Sequence, residues 1–180
     1  MKDISLLIPP ALRPWLLGLF SVFTVVVGSA MMKISARVKP SPIWFEFPWT
    51  QRGADEILGQ WDGAAKDAVR KNLLLDFVFI ASYVGGLVVA GAMASEELGV
   101  EFGAAPWAGA AITWAVIAAG LLDVCENIGQ FAMLGGRRGP VWPLLTSVCA
   151  TVKFILVFIA ATYALCGLNA PLICFFQLHQ

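Results

Sequence analysis

Four ionisable side chains stand inside the long apolar runs of this chain: Asp76, Asp123, Glu126 and Lys153. A charge at the centre of a hydrocarbon layer costs roughly 2.5 to 3.5 kcal/mol on insertion scales, so each of them needs a partner or a task. Asp76 is followed seven residues later by Tyr83, which returns to the same helical face. Asp123, Glu126, Asn127 and Gln130 fall at i, i+3, i+4 and i+7, a single polar stripe on a helix. Thr146 and Lys153 repeat the seven-residue interval in the last apolar run. If ionised, three carboxylates against one ammonium leave a charge of −2 in a poorly solvated place. Protonation can relieve it, as can a bound cation, or loop cations such as Arg70, Lys71, Arg137 or Arg138 folding inward.

Each remedy corresponds to a function. A protonated or cation-filled cluster would bind or move a proton, a cation or a small cationic molecule. Asp76, Asp123 and Glu126 could instead supply oxygen ligands to a divalent cation such as Mg²⁺ or Mn²⁺ in a lipid-active enzyme. A third reading gives the stripe no chemistry: in an accessory subunit of a larger membrane complex it would serve only helix pairing, worth about 1 to 2 kcal/mol. The lone His179 stands in the tail, so neither a haem nor a His-rich metal site is expected, and no Ser–His or Cys–His nucleophile pair is present. Cys125, Cys149, Cys166 and Cys174 contain no CxxC, which argues against structural zinc. They read as small hydrophobes, with one disulfide conceivable between Cys166 and Cys174 in an oxidising compartment.

The elements that position these groups follow from hydropathy. Of 180 residues 59% are hydrophobic and 13% charged, against about 25% charged in soluble domains. The twelve Lys and Arg balance twelve Asp and Glu, so nothing points to nucleic acid. The expected partners are the lipid bilayer and other membrane helices, a second copy of the chain included. Four runs are long enough to cross about 30 Å of hydrocarbon as helices: 14–32, 73–94, 106–134 and 141–168. The first is read as a retained span and not a cleaved signal, because it is too long for a signal core and Arg13 abuts it. The expected fold is an all-α, four-transmembrane-helix bundle forming one membrane domain.

Nine Lys and Arg fall in the connections 33–72 and 135–140, and two precede the first run. Both termini are therefore expected outside the cytoplasm, with loops one and three inside. At about 1.5 Å per residue, Asp123 lies roughly 25 Å from Pro106 and Lys153 roughly 18 Å from Val141, which brings three spans' polar groups toward one cytoplasmic-half depth. Loop one carries apolar residues at three- and four-residue steps over 54–72, which predicts an amphipathic helix on the cytoplasmic surface. Asp55 and Glu56 in its first turn and Lys66, Arg70 and Lys71 in its last would match the helix dipole. Ahead of it, Ile43 to Trp49 is too aromatic for a solvated loop. Its prolines argue against a helix, and it is expected to press on headgroups or into the bundle, carrying Glu46 with it. Small residues at Gly86, Ala90 and Ala94, and at Ala111, Ala115 and Ala119, predict close packing of spans two and three.

Overall fold

The computed structural model describes residues 8–103 and 106–170. His179 and Cys174 lie outside them, so the Cys166–Cys174 pairing does too; among the described residues Cys125, Cys149 and Cys166 form no disulfide with one another. The described residues form helices and turns and no strand. Five α-helices follow one another: α1 (Arg13–Ser35), α2 (Gln51–Gln60), α3 (Gly63–Phe102), α4 (Pro106–Leu134) and α5 (Val141–Leu168). Four of them, all but α2, are long and apolar enough to cross a membrane.

Helices α3, α4 and α5 pack mutually, and α1 lies against the outer side of α3. Most of α1's surface is therefore open, including Val22, Phe23, Val25 and Val26. Polar contacts pin it near both ends: Arg13 is ion-paired with Glu96, and Asn72 donates to the Ser35 hydroxyl at 3.2 Å. Phe20 lies over Gly85 between them. At the far end of the α3–α5 contact Gly167 meets the backbone of Ala94, and one helical turn away the Ser95 and Tyr163 hydroxyls are 3.1 Å apart. The expected small-residue seam is thus redistributed. Ala94 packs on α5, Gly86 and Ala90 line a cavity, and the α3–α4 seam uses Gly120 against Val84 and Gly91 against Ile112. Ala111 is exposed.

Loop one departs most from expectation. Where the periodicity suggested one helix over 54–72, the chain forms α2, breaks at Trp61 and Asp62, and restarts as the 40-residue α3. Two residues explain the break. Asp62 caps α3, its carboxylate accepting from the Ala65 N–H at 2.7 Å. Trp61 turns extended and buries its ring, with Nε1 donating to the Pro40 carbonyl at 2.9 Å. Lys66, Arg70 and Lys71 consequently lie in the first turns of α3, and the dipole match read from the sequence does not hold. The apolar face of the segment rests on the protein itself: Ala54, Trp61 and Val69 join Val38, Phe45, Leu73, Met133 and Leu134 in a small core beside the bundle. Nor do the prolines forbid every helix, since Pro42 opens a single 3-10 turn through Glu46, a position where its missing N–H costs nothing.

The Gly167 contact yields a stability prediction. A Cβ there would meet the Ala94 backbone, which cannot rotate away, so Gly167→Ala should destabilise the bundle by about 1 to 3 kcal/mol. At Gly18 nothing lies within 4 Å. Gly18→Ala should be neutral or stabilising by up to about 1 kcal/mol. Unfolding of both variants in mixed micelles checks the pair.

Candidate functional site

The polar stripe of α4 faces inward along its length: Asp123, Glu126, Asn127 and Gln130 are all buried. Opposite it on α5, Lys153 is buried too, and its ammonium sits between two carboxylates, 2.6 Å from Asp123 Oδ1 and 2.7 Å from Glu126 Oε2. The second of these is an ion pair with no aligned hydrogen bond at that oxygen. Each carboxylate's other oxygen is also occupied: the Tyr83 hydroxyl donates to Asp123 Oδ2 at 3.0 Å, and Gln130 Nε2 donates to Glu126 Oε1 at 2.9 Å. Asn127 Nδ2 reaches across to α3 and donates to Asp76 Oδ2 at 2.6 Å. Helices α3, α4 and α5 are thereby joined through one network.

A fourth carboxylate enters from loop one. The 3-10 turn over Pro42–Glu46 inserts Phe45 into the small core, in edge contact with Trp61, and delivers Glu46 Oε2 to 3.8 Å from Lys153 Nζ. Two contacts behind it hold the segment down: Phe47 stacks on Phe154, and the Trp49 N–H donates to the Ser147 hydroxyl at 2.8 Å. Trp49 occupies the left-handed region at φ 52°, and the Thr50 N–H returns to the Pro48 carbonyl at 2.6 Å, closing a tight turn into α2. An uncommon conformation for a bulky residue persists only where surrounding contacts impose it, as they do here. This insertion brings loop one to the cluster.

Burial pushes the Glu46 carboxyl up to about 7 from an ordinary 4.5; the Lys153 ammonium opposes the rise, and Asp123 and Asp76 add to it. With Glu46 included, the network holds four carboxylates and one ammonium. The loop cations do not relieve the imbalance. Arg70 pairs with Asp67 and the Leu134 carbonyl, Arg137 lies over the Trp142 ring, and Lys71 and Arg138 are exposed.

Of the residues singled out from sequence, Asp76, Tyr83, Asp123, Glu126, Asn127, Gln130, Lys153 and Glu46 come together. Thr146 does not. It is fully buried two turns from Lys153, packed where Gly129 leaves room, and its hydroxyl makes no hydrogen bond. Its neighbour Ser147, which the sequence reading passed over, fixes the inserted segment; the three-residue steps from Ser147 through Ala150 to Lys153 were the available signal. As metal ligands, Asp76, Asp123 and Glu126 are poorly arranged. Among the described residues no three acidic, His or Cys side chains converge on a point, and the Lys153 ammonium holds the place between two of the candidates.

The cluster forms the floor of a cavity of about 630 Å³. Glu46, Asp76, Tyr83, Asp123 and Lys153 reach it, and residues of α1, α3 and α5, apolar but for Ser21 and Thr24, make its walls. The chain matches no protein-family model, no curated protein and no solved structure, so its own geometry is what speaks to function.

Proposed function

We propose that the chain is a multi-pass membrane protein that binds or moves a proton, a cation or a small cationic molecule through the Lys153 cluster. Both termini lie outside the cytoplasm in this reading, and loops one and three lie within it. The observation that carries it is the gathering of three carboxylates about one buried ammonium at the floor of a cavity that a fourth, Asp76, also lines. Buried ion pairs are weak sources of stability, because desolvation consumes most of the Coulomb gain; apolar side chains of similar volume would hold the helices as well or better. An excess of carboxylates is costlier still. It makes sense where protons or a cation arrive to complete the site.

Helix pairing alone is favoured by one observation: Asp123, Glu126, Asn127 and Gln130 each have a partner within the bundle. It leaves the inserted Glu46 and the cavity without a role. A divalent metal would have to displace Lys153 from Asp123 and Glu126, and that reading is not carried forward.

A double-mutant cycle tests the cluster as a unit. Lys153→Met should destabilise the protein by about 3 to 5 kcal/mol, since it strands Asp123 and Glu126, and Asp123→Asn should cost less, about 1 to 3 kcal/mol, because Glu126 still pairs with Lys153. The double variant should fall short of their sum by about 1 to 3 kcal/mol, and additivity would dissolve the unit.

The pH response tests the protonated form. Glu46 has a folded-state pKa above its unfolded value, so the folded state holds a proton that the unfolded state has lost. Its contribution to stability is fully present below pH 4.5 and disappears as pH rises to about 7. Thermal unfolding should show that decline in the native protein, and Glu46→Gln, facing the same Lys153, Asp123 and Asp76, should flatten it.

Sidedness is tested by labelling single cysteines placed in a cysteine-free background. An impermeant reagent applied from outside should modify the variant carrying cysteine at Glu97 and spare the one at Arg137; the opposite pattern would invert the topology.

A further inference from the structure

The cavity above the cluster is long and polarised. On α3 it extends from Asp76 to Ala90, which at 1.5 Å per residue is about 20 Å. A volume of about 630 Å³ along that length accommodates a hydrocarbon chain. Because α1 runs antiparallel to α3, and α5 parallel to it, Met31, Asp76 and Lys153 stand together at one end, and Leu17, Ala90 and Ala161 at the other. The first end is charged and the second apolar, with the Ser21 and Thr24 hydroxyls between them. α1 and α5 flank the slot without substantial contact with each other, so it opens sideways between them.

Charge at the polar end selects the headgroup. The Lys153 ammonium is already taken by Asp123 and Glu126. Asp76 has only the neutral amide of Asn127 as hydrogen-bond partner, and Glu46 stands 3.8 Å from Lys153 with an unbonded oxygen. These two carboxylates line the cavity, with the rings of Phe79 and Tyr83 beside them. Carboxylates and aromatic faces together favour an ammonium over a hydroxyl or an anion.

We propose that this slot binds a single-chain amphiphile with an ammonium head, the head at Asp76 and Glu46 and the chain lying between α1 and α5, entered from the lipid. The assignment rests on the membrane-embedded, cation-binding reading above and names its ligand class. Asp76 is the residue that discriminates the head, and Ala161 guards the volume for the chain.

The test uses the full chain in nanodiscs of zwitterionic lipid at pH 8, where the Glu46 proton has left, with spin-labelled hexadecylamine, hexadecanol and hexadecyl sulfate as probes and the motionally restricted fraction of each spectrum as readout. The native protein should hold the amine about tenfold more tightly than the alcohol, a discrimination within reach of one charged contact, and should not enrich the sulfate. Asp76→Asn should bring the amine to the level of the alcohol without changing the alcohol. Glu46→Gln, on a separate segment, should lower the preference independently should Asp76→Asn fail to fold. Ala161→Phe should reduce both probes. Equal retention of amine and alcohol by the native protein, or a preference that survives both carboxylate variants, would overturn the assignment. If the amine preference is absent while the Glu46-dependent pH slope remains, only the ligand class fails. If the slope is absent and the preference present, the proton reading fails and the ligand stands.

Discussion

Everything distinctive about this bundle depends on one ammonium. Lys153 lies between Asp123 and Glu126, and these carboxylates are in turn held by Tyr83 and Gln130. Without the ammonium, two buried carboxylates would face each other across a gap too dry to shield them. Without the carboxylates, a lysine would be stranded among apolar side chains. The interaction fixes the rotation of α4 relative to α5, because a stripe of four polar residues can face the core only if a counter-charge meets it there. Asp76, tied to Asn127, then fixes α3 against the same face.

Loop one adapts to this arrangement instead of lying apart from it. Its aromatic segment inserts because Phe45 and Trp61 find a core to join, and the insertion delivers Glu46 to the ammonium. Ser147, Phe154 and Lys153 lie on one side of α5, so the same helix that presents the ammonium also presents the two contacts that hold the segment. α1 is different in kind. Pinned near its ends to α3 and separated from α5 along the cavity, it is the helix whose displacement would alter access to the floor with least loss of packing.

Much of this was legible in the residue order, for physical reasons. Long apolar runs declare helices because their backbone groups must be satisfied internally where water is scarce. The i, i+3, i+4, i+7 spacing of Asp123 to Gln130 declares one face at any helix depth. What was not legible depended on long-range partners. The periodicity of 54–72 could not reveal a break at Trp61, since the capping by Asp62 competes with helix continuation only once Pro40 stands ready to receive the indole. Thr146 and Ser147 are adjacent hydroxyls. Only the approach of Trp49 makes one an anchor, while the room left by Gly129 makes the other a packing residue. The seam expected at Gly86 and Ala90 became a cavity wall, because small residues permit close approach without requiring it.

The central claim is that the excess carboxylate charge beside Lys153 is relieved by a proton held within the cluster and exchanged near neutral pH, with Glu46 as its bearer. Infrared difference spectroscopy of the protein in lipid, following the C=O stretch of protonated carboxyl groups as pH is raised, addresses that most directly. A protonated-carboxyl band should fade as pH passes about 7 and be weaker in Glu46→Gln. A native spectrum without such a band below that pH, or a band unaltered in Glu46→Gln, would contradict it.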